Sequence, residues 1–281
     1  MTINSKVLFQ QMVQELTIEA DTSEKEAIVY LTLGHQYNLS RIDVLKGKEV
    51  EDRPSSLNDI IRRLNKNEPL QYILEEAWFY GRKFFVSPAV LIPRPETELI
   101  IKLVSDRISK PGEGYSIIDV GTGSGCIAIS LALEFPSSTM IATDISNSAL
   151  EVASQNAQKL KAIVNFKIHD ILNDPLDFGV LDMIVSNPPY VSESERSLMQ
   201  KNVTDHEPAL ALFVPNPDPL LFYKALAKQA NESLKPGGYL ITEISERFGK
   251  ETAEVFTRFG LTGIEVVKDL DGKDRYVVGR K

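Results

Sequence analysis

The stretch IIDVGTGSG, which runs from Ile117 to Gly125, decides the fold that we predict for this chain. Its apolar first half is typical of a buried strand, and its alternating glycines let the backbone turn sharply and approach a ligand without Cβ clashes. The apolar segment CIAISLALEF follows directly and predicts a helix, whose first turn offers unpaired N–H groups. A strand, a glycine-rich loop and a helix in this order indicate the start of an α/β sheet.

The residues after Gly114 alternate between strand and helix patterns, which is typical of a doubly wound parallel sheet. The predicted strands are YSIIDV, TMIATD, AIVNFKI, LDMIVSN and GGYLITEIS, and the predicted helices are GCIAISLALEF, NSALEVASQNAQKL, DPLLFYKALAKQANESL and KETAEVFTRFG. The final segment, TGIEVVKDLDGKDRYVVGR, contains two strands around Asp271-Gly272, which is a hairpin signal. We therefore predict an α/β fold with a seven-stranded, doubly wound sheet whose last strand is antiparallel.

Residues 1–75 predict a small helical bundle, because strand-like alternation is absent from their sequence. The segment VLFQQMVQEL has apolar residues at helical spacing, and DTSEKEAIVYLTLGHQYN opens at Asp21 with residue types that favour a helix N-cap. The segment SLNDIIRRLNKNEP repeats the pattern. We expect Ser55 or Ser56 to cap this helix and Pro69 to end it.

The character of the sequence changes at Trp78. Aromatic and β-branched residues broken by glycine and proline predict a β-hairpin linker over residues 76–95. A helix is expected to begin at Pro95 or Glu96. Residues 96–281 then form the larger α/β domain.

Composition and charge exclude several classes of protein. The chain has 281 residues, 43% of them hydrophobic, and a net charge of −8. No apolar run reaches the length of a membrane span, and the polar N-terminus does not resemble a secretory signal. The single cysteine, Cys126, excludes an internal disulfide and suits a reducing compartment. We expect a cytoplasmic protein without a membrane partner, and the acidic charge weakly disfavours nucleic acid as the main ligand.

The glycine-rich loop is flanked by two carboxylates that indicate which ligand it binds. Asp119 precedes the first glycine, where it would repel a pyrophosphate but would suit a ligand with a positive amine or sulfonium. Asp144 ends the second strand, 19 residues after Gly125, where it can accept hydrogen bonds from ribose hydroxyls. Asp144 alone does not distinguish the possible ligands. The combination of Asp119, the three glycines and Asp144 favours S-adenosylmethionine. The alternatives are an NAD-type cofactor and a purely structural turn.

Two polar residues follow the third predicted strand. Asp170 can reach the amino group of an adenine, or it can serve only as a surface carboxylate or helix cap. Both interpretations remain open from the residues alone. His169 is interpreted as a strand-end residue rather than a catalytic group.

The stretch SNPPYV, Ser186 to Val191, follows the fourth predicted strand. Pro188 and Pro189 stiffen the backbone and remove two donors. The Asn187 side-chain oxygen and the Pro188 carbonyl can then accept two hydrogen bonds from one NH₂ group and aim its lone pair at a methyl donor. Tyr190 can stack on the planar group that bears this nitrogen.

This arrangement needs no strong general base, so neither His206 nor Glu207 is given a catalytic role. The competing interpretation of Asn-Pro-Pro-Tyr is an ordinary turn, since Asn and Pro are common turn residues. Its position in a sheet that also carries the glycine-rich loop favours a holder for a planar, NH₂-bearing substrate.

These motifs resemble the class I S-adenosylmethionine-dependent methyltransferases that act on planar amino nitrogens. Segments outside the two loops narrow the resemblance to the release factor glutamine methyltransferases, the HemK/PrmC family, over nearly the whole chain. They are PLQYI (69–73), FYG (79–81), FFV (84–86), LIPRPETE (91–98), EPALAL (207–212) and LKPGGYL (234–240).

The resemblance implies methylation of the glutamine side-chain amide in the Gly-Gly-Gln motif of peptide chain release factors. S-adenosylmethionine would be the donor, S-adenosylhomocysteine the product, and no metal is expected. The residues that it assigns to the donor are Gly121, Thr122, Gly123, Ser124, Gly125, Asp144 and Asn187. We expect Asp119, Asp170 and Ile171 to contribute to the same site. The residues that it assigns to the glutamine are Asn187, Pro188, Pro189 and Tyr190, with Asn187, Pro188 and Tyr190 in the catalytic role.

Two departures from the family pattern concern Ile171 and the EISERFG segment after the fifth predicted strand. That segment carries Glu246 and Arg247 where the family varies, so no role is assigned to them. Ile171 stands where the family often has an aromatic residue, so it can cover the adenine by apolar contact without stacking. In the Pro-Arg-Pro-Glu-Thr-Glu string, the prolines and acids favour a helix start. Whether Arg94 and Glu96 also line the donor pocket stays open.

Three other functions remain in view. An adenine amino-group methyltransferase acting on DNA or RNA shares the Asn-Pro-Pro-Tyr chemistry, and a ribosomal-protein glutamine methyltransferase is the nearest sister group. A non-catalytic, cofactor-binding adaptor is the third. Residues 1–80 carry 9 basic and 13 acidic side chains, which does not suit a nucleic-acid-reading domain. We expect these helices to recognise the protein substrate, or else only to stabilise the fold, and we expect a monomer without direct nucleic-acid binding.

Overall fold

The computed structural model describes residues 2–108, 110, 112–214 and 218–281. The chain divides into two compact units. One comprises Met1–Glu76 with Gln200–His206, and the other comprises Ala77–Met199 with Glu207–Lys281. The segment 76–95, predicted as a linker, therefore falls almost entirely within the second unit, and the first unit includes a segment distant in sequence. The roles expected for these domains stay predictions.

The first unit is mainly helical. Its elements are β1 (Thr2–Asn4), α1 (Ser5–Glu15), α2 (Thr22–Tyr37), α3 (Arg41–Leu45), β2 (Glu49–Glu51), α4 (Pro54–Leu64) and α5 (Leu70–Leu74), and it also contains the later helix α9 (Lys201–Thr204). Apolar side chains such as Met12, Val29 and Leu33 form its core. The short β1 pairs with β2 in an antiparallel ladder, a feature that the helical prediction missed.

The start of α4 differs from the prediction. The helix begins at Pro54, before Ser55 and Ser56, and its N-terminus has no side-chain cap. Proline suits this first position because its missing N–H would have no partner in the helix. The helix ends at Leu64, so Pro69 does not end it but instead precedes α5.

A β-hairpin opens the second unit, as the sequence predicts. Its strands are β3 (Ala77–Phe79) and β4 (Arg82–Phe84). The two turn residues, Tyr80 and Gly81, both have positive φ, 49° and 71°, which is the geometry of a tight two-residue hairpin. A 3₁₀ turn, Pro95–Glu98, then leads into α6 (Leu99–Ser105), so the helical segment begins where it was expected.

The elements of the α/β region follow the predicted alternation. They are β5 (Ser116–Val120), α7 (Cys126–Glu134), β6 (Thr139–Asp144), α8 (Asn147–Leu160), β7 (Asn165–Ile168), β8 (Leu181–Ser186), β9 (Val191–Ser192), the 3₁₀ segment Glu193–Leu198, α10 (Ala209–Leu212), β10 (Phe213–Val214), α11 (Leu221–Ser233), β11 (Leu234–Glu243), α12 (Gly249–Arg258), β12 (Thr262–Lys268) and β13 (Asp274–Arg280). Among them, the short β9 and β10 pair in parallel outside the main sheet.

The main sheet has seven strands in the order β12-β13-β11-β8-β5-β6-β7. Strand β13 is antiparallel to both of its neighbours, and β11, β8, β5, β6 and β7 run parallel. This confirms the predicted α/β fold with an antiparallel last strand.

The strand order explains where a ligand would bind. Strand β5 lies between β6 on one side and β8 on the other, and a doubly wound sheet binds ligands at the carboxyl ends of strands where the order reverses in this way. The Ser186 hydroxyl at the end of β8 donates to the Val120 carbonyl at the end of β5, 2.7 Å away. The glycine-rich loop and the Asn-Pro-Pro-Tyr loop therefore begin side by side.

Across the part of the chain that the structure describes, no helix has the length and apolar character needed to cross a membrane.

Candidate active site

A cavity of about 360 Å³ lies at this edge of the sheet, within the second unit. Its volume falls in the range of small-molecule sites. The predicted site residues that line it are Gly121, Thr122, Gly123, Ser124, Asp144, Asp170, Ile171, Asn187, Pro188 and Pro189. Asp119, Gly125 and Tyr190 are not among the described residues that line it. The sheet thus brings most of the predicted donor and substrate residues to one cavity.

Two positions in the loop require glycine for different structural reasons. Gly123 has a φ of +54°, and a Cβ built there would meet no atom within 4 Å. Gly125, with a φ of +81°, precedes α7, and its Cβ would lie 2.9 Å from Ile129 Cδ1 and 3.1 Å from Ala153 Cβ. Gly123 therefore keeps the cavity side open, whereas Gly125 allows α7 and α8 to pack closely.

Asp144 holds the glycine-rich loop in place. One carboxylate oxygen accepts from the Gly123 N–H and the other from the Ser146 N–H, each at 2.9 Å. Burial raises the pKa of Asp144 above its ordinary value, and these backbone hydrogen bonds oppose that shift. Because a carboxylate has about four acceptor positions, Asp144 retains the capacity to accept from ribose hydroxyls.

Asp119 lies beneath the loop and is fully buried. Its Oδ2 accepts from the Thr122 hydroxyl at 2.6 Å, while its Oδ1 has no hydrogen-bond partner among the described residues. Burial raises the pKa of Asp119 to about 7. The observed contact supports the loop through Thr122, and direct contact with a charged group of the donor stays a prediction.

The residues after β7 make contacts of a tight turn. The Asp170 carboxylate accepts from the Leu172 N–H at 2.9 Å and from the Asn173 side chain at 2.7 Å. These are the contacts expected of a capping carboxylate, yet Asp170 also lines the cavity, so both interpretations of the sequence remain compatible with its position.

His169 is a buried neighbour of this turn and also lines the cavity. Its Nε2 lies 3.2 Å from the Pro175 carbonyl. Since a carbonyl can only accept, Nε2 carries a proton. Its Nδ1 has no hydrogen-bond partner among the described residues.

Asn187 is held by a residue that the sequence analysis did not single out. Its Nδ2 donates to the Thr97 hydroxyl at 3.2 Å, and that hydroxyl donates to the Glu243 carboxylate at 2.7 Å. Thr97 and Glu243 are buried, and burial raises the pKa of Glu243 to about 7. Thr97 belongs to a motif that was interpreted mainly as a helix start, and Glu243 ends β11 without a motif of its own.

Tyr190 lies beside the buried carboxylate of Glu243 and is not among the described residues that line the cavity. Its hydroxyl lies 3.4 Å from Glu243 Oε1, and its ring packs against the buried cluster that contains Leu176 and Tyr223. Burial raises the pKa of Tyr190 above its ordinary value. An aromatic side chain that lines the cavity is Phe222, so stacking of Tyr190 on the substrate remains only a prediction.

An ion pair fixes another part of the cavity wall. Arg94 lines the cavity, and its guanidinium donates to Glu207 at 2.6 Å. The Glu207 side chain is 1% exposed, and its second oxygen accepts from the Ile92 N–H at 3.2 Å. Glu207 therefore ties the Pro-Arg-Pro segment to the segment Pro208–Ala211. Glu96 is not among the described residues that line the cavity.

Much of the remaining wall is apolar. It includes Val90, Leu91, Ile145, Leu210 and Phe222. The proline-broken stretch after the hairpin was a signal for the first two, and Leu210 lies in the EPALAL segment. Nothing local in the sequence marked Ile145 and Phe222. An apolar wall beside an open glycine loop and a ribose-competent carboxylate fits S-adenosylmethionine. No cluster of three or more His, Cys, Asp or Glu side chains suited to a metal is found among the residues described.

Comparison with known proteins agrees with this geometry. A family model described as a methyltransferase domain matches residues 111–270. A release factor glutamine methyltransferase from Bacteroides thetaiotaomicron is 40% identical over 262 residues, which cover 92% of this chain and 93% of that protein. One from Koribacter versatilis is 42% identical over 93% of each chain.

The chain belongs to the release factor glutamine methyltransferase family. It is accordingly an S-adenosylmethionine-dependent methyltransferase. The crystal structure of a methyltransferase from Pyrococcus furiosus matches with a TM-score of 0.54 at 18% identity, covering 80% of this chain and 98% of that one. This likeness shows the shared fold.

Proposed function

We propose that this enzyme methylates the side-chain amide nitrogen of the glutamine in the Gly-Gly-Gln motif of peptide chain release factors. The observation that carries the proposal is that Asn187 and the glycine-rich loop share one cavity. The names of the relatives support a release factor glutamine as the substrate. A glutamine amide presents two N–H donors, and the Asn187–Pro188 pair presents acceptors.

The residues of the second loop would orient the amide. The Asn187 side-chain oxygen and the Pro188 carbonyl would each accept one N–H of the substrate NH₂. Pro188 and Pro189 restrict the backbone, so these acceptors keep their direction without reorganising during the reaction. With both hydrogens held, the nitrogen lone pair points toward the donor side of the cavity, which is the near-attack geometry that accelerates a displacement.

S-adenosylmethionine would supply an activated methyl group whose bond to sulfur breaks as the new carbon–nitrogen bond forms, with S-adenosylhomocysteine as the leaving group. Gly121 to Ser124 and Asp144 would bind it, with Ile171 covering its adenine by apolar contact. The proton of the methylated amide nitrogen is acidic enough to pass to water or to a neighbouring carbonyl. No basic side chain is required beside Asn187.

The remaining expectations concern partners and location. We propose that the helical first unit contributes to recognition of the release factor. We also propose that the protein is a cytoplasmic monomer that does not bind nucleic acid directly. These proposals rest on composition and on the substrate class.

Methyl transfer tests the proposed function. Purified enzyme is incubated with radiolabelled S-adenosylmethionine and, in parallel, with a release factor, ribosomal proteins, DNA or RNA. Label is expected in the release factor and should vanish when its Gly-Gly-Gln glutamine is replaced by alanine. Label found only in nucleic acid would replace the proposal with an adenine methyltransferase. Label only in ribosomal protein would indicate the sister activity.

A further inference from the structure

Three residues that are far apart in sequence form one chain of hydrogen bonds, which is buried at its Thr97–Glu243 end. Asn187 Nδ2 donates to Thr97 Oγ1 at 3.2 Å, and Thr97 Oγ1 donates to Glu243 Oε2 at 2.7 Å. Thr97 is 2% exposed and Glu243 is 1% exposed. Water therefore has little access to the Thr97–Glu243 bond, and loss of that bond would leave a buried polar group without a partner.

The surroundings of Glu243 determine the donor-to-acceptor direction of these hydrogen bonds. The Tyr276 hydroxyl lies 2.9 Å from the Glu96 carbonyl and 3.3 Å from Glu243 Oε2, and the Tyr190 hydroxyl lies 3.4 Å from Oε1. Burial raises the pKa of Glu243 to about 7, and the positive charge of Arg275 opposes that shift. The single hydrogen of Tyr276 goes in its shorter contact to the Glu96 carbonyl. Thr97 and Tyr190 are therefore the hydroxyl donors to this carboxylate, which favours its role as the terminal acceptor.

The chain of hydrogen bonds determines which way the Asn187 carboxamide faces. A threonine hydroxyl has one hydrogen, and Thr97 gives it to Glu243 in its shorter contact. Only a lone pair remains for Asn187, so the amide nitrogen must face Thr97. If the carboxamide were turned over, its oxygen would meet the lone pairs of Thr97. The carboxamide oxygen is consequently left for the cavity that Asn187 lines.

We infer that Thr97 and Glu243 are positioning residues that hold the Asn187 side-chain oxygen toward the substrate amide. This inference rests on the proposed function. Thr97 orients Asn187 because it accepts from the carboxamide nitrogen while it donates to Glu243. Thr97 also lines the cavity, but its one hydrogen is used by Glu243, which is not among the described residues that line the cavity. Without the Thr97 hydroxyl, the carboxamide could turn its NH₂ toward the substrate and repel the N–H groups that it should accept.

The test uses the full-length enzyme with a release factor and S-adenosylmethionine. Thr97→Val removes the hydroxyl with little change in shape, and Thr97→Ser is the matched control that keeps it. Thr97→Val is expected to lower kcat by ~10- to 100-fold, the scale of a misplaced reacting group, with the Kd of the donor within about twofold of wild type. Thr97→Ser should keep kcat within about threefold.

A double variant separates positioning from general damage to the fold. If Thr97 acts only through Asn187, then Thr97→Val combined with Asn187→Ala should turn over as slowly as Asn187→Ala alone, within about twofold. Multiplied losses would contradict the inference. Wild-type kcat in Thr97→Val, or equal damage from Thr97→Ser and Thr97→Val, would also overturn it.

Two further features keep the test decisive. Circular dichroism checks that each variant is folded, and Thr97→Ala, which needs no added space, replaces Thr97→Val with the same expected outcome if the valine variant does not fold. Failure of the proposed function would look different. In that case the wild-type enzyme itself would leave the release factor unmethylated, although it still bound the donor.

Discussion

The two glycines of the donor loop offer a matched pair of substitutions that separates stability from binding. Gly123 and Gly125 both have positive φ, 54° and 81°, so alanine is strained at either position by about 1 kcal/mol. They differ in what the added methyl group meets. At Gly123 it would find open space, whereas at Gly125 it would lie 2.9 Å from Ile129 Cδ1 and 3.1 Å from Ala153 Cβ.

The expected energies follow from these contacts. Overpacking of a close helix contact costs about 1–3 kcal/mol, which adds to the strain at Gly125. Gly125→Ala should therefore lower the free energy of unfolding by about 3 kcal/mol, and Gly123→Ala by only about 1 kcal/mol. Donor binding should show the opposite order. The methyl group of Gly123→Ala would project where the ligand approaches, and the Kd for S-adenosylmethionine should rise at least about tenfold.

Urea unfolding followed by circular dichroism, without ligand, measures the first quantity, and calorimetric titration with S-adenosylmethionine measures the second. The wild-type protein is the reference for both. Equal loss of stability in the two variants would refute the packing role of Gly125. Wild-type donor affinity in Gly123→Ala would refute the placement of the donor beside this loop.

Three further predictions concern charged residues. Burial raises the pKa of Asp119 to about 7, so between its ordinary pKa and about 7 the folded state holds a proton that the unfolded state has lost. The free energy of unfolding must therefore fall as the pH rises through that window. Asp119→Asn should flatten this fall in ligand-free urea unfolding measured from pH 5 to pH 8, and an unchanged slope would contradict the pKa shift. Asp144→Ala should raise the Kd for S-adenosylmethionine, measured by calorimetry, by about tenfold or more, because it releases the Gly123 N–H and removes a ribose acceptor. Unchanged affinity would exclude Asp144 from the donor site. Arg94→Met leaves the buried Glu207 carboxylate without its cation and should lower the free energy of unfolding by about 2 kcal/mol, which is less than the cost for a fully buried pair because Arg94 is partly exposed. Adding Glu207→Gln should recover about half of the lost stability. Additive losses in the double variant would argue against the pairing.

The fold could be predicted because its signals are local. The glycine-rich loop, the alternation of strand and helix patterns, and the Asp271-Gly272 turn each mark an element through backbone geometry or burial. Parallel connectivity then places the ends of β5 and β8 together, which is why Asn187 could be assigned to the same cavity as Gly123. The start of α4 was misplaced because a proline at the first helical position, Pro54, outweighed the capping preference of the serines after it.

The support beneath the site could not be predicted in the same way. Thr97, Asn187 and Glu243 meet only through the tertiary fold, with sequence separations of 90 and 146 residues between the hydrogen-bonded pairs. The position of Tyr190 also depends on tertiary packing, since its hydroxyl is drawn to Glu243 rather than to the cavity. Asp119 had the right residue type for a cationic ligand, but sequence does not reveal that its side chain lies under the loop.

Mass spectrometry of a release factor after incubation with the enzyme and S-adenosylmethionine tests the central claim most directly. The claim is that the Asn187 carboxamide holds a glutamine amide beside the donor. The wild-type enzyme should add the mass of one methyl group to the glutamine of the Gly-Gly-Gln peptide. Asn187→Ala should leave most of that peptide unmodified in the time that the wild-type enzyme needs to methylate it, while still binding the donor in calorimetry. An unmodified peptide with the wild-type enzyme, or full methylation by Asn187→Ala, would contradict the account.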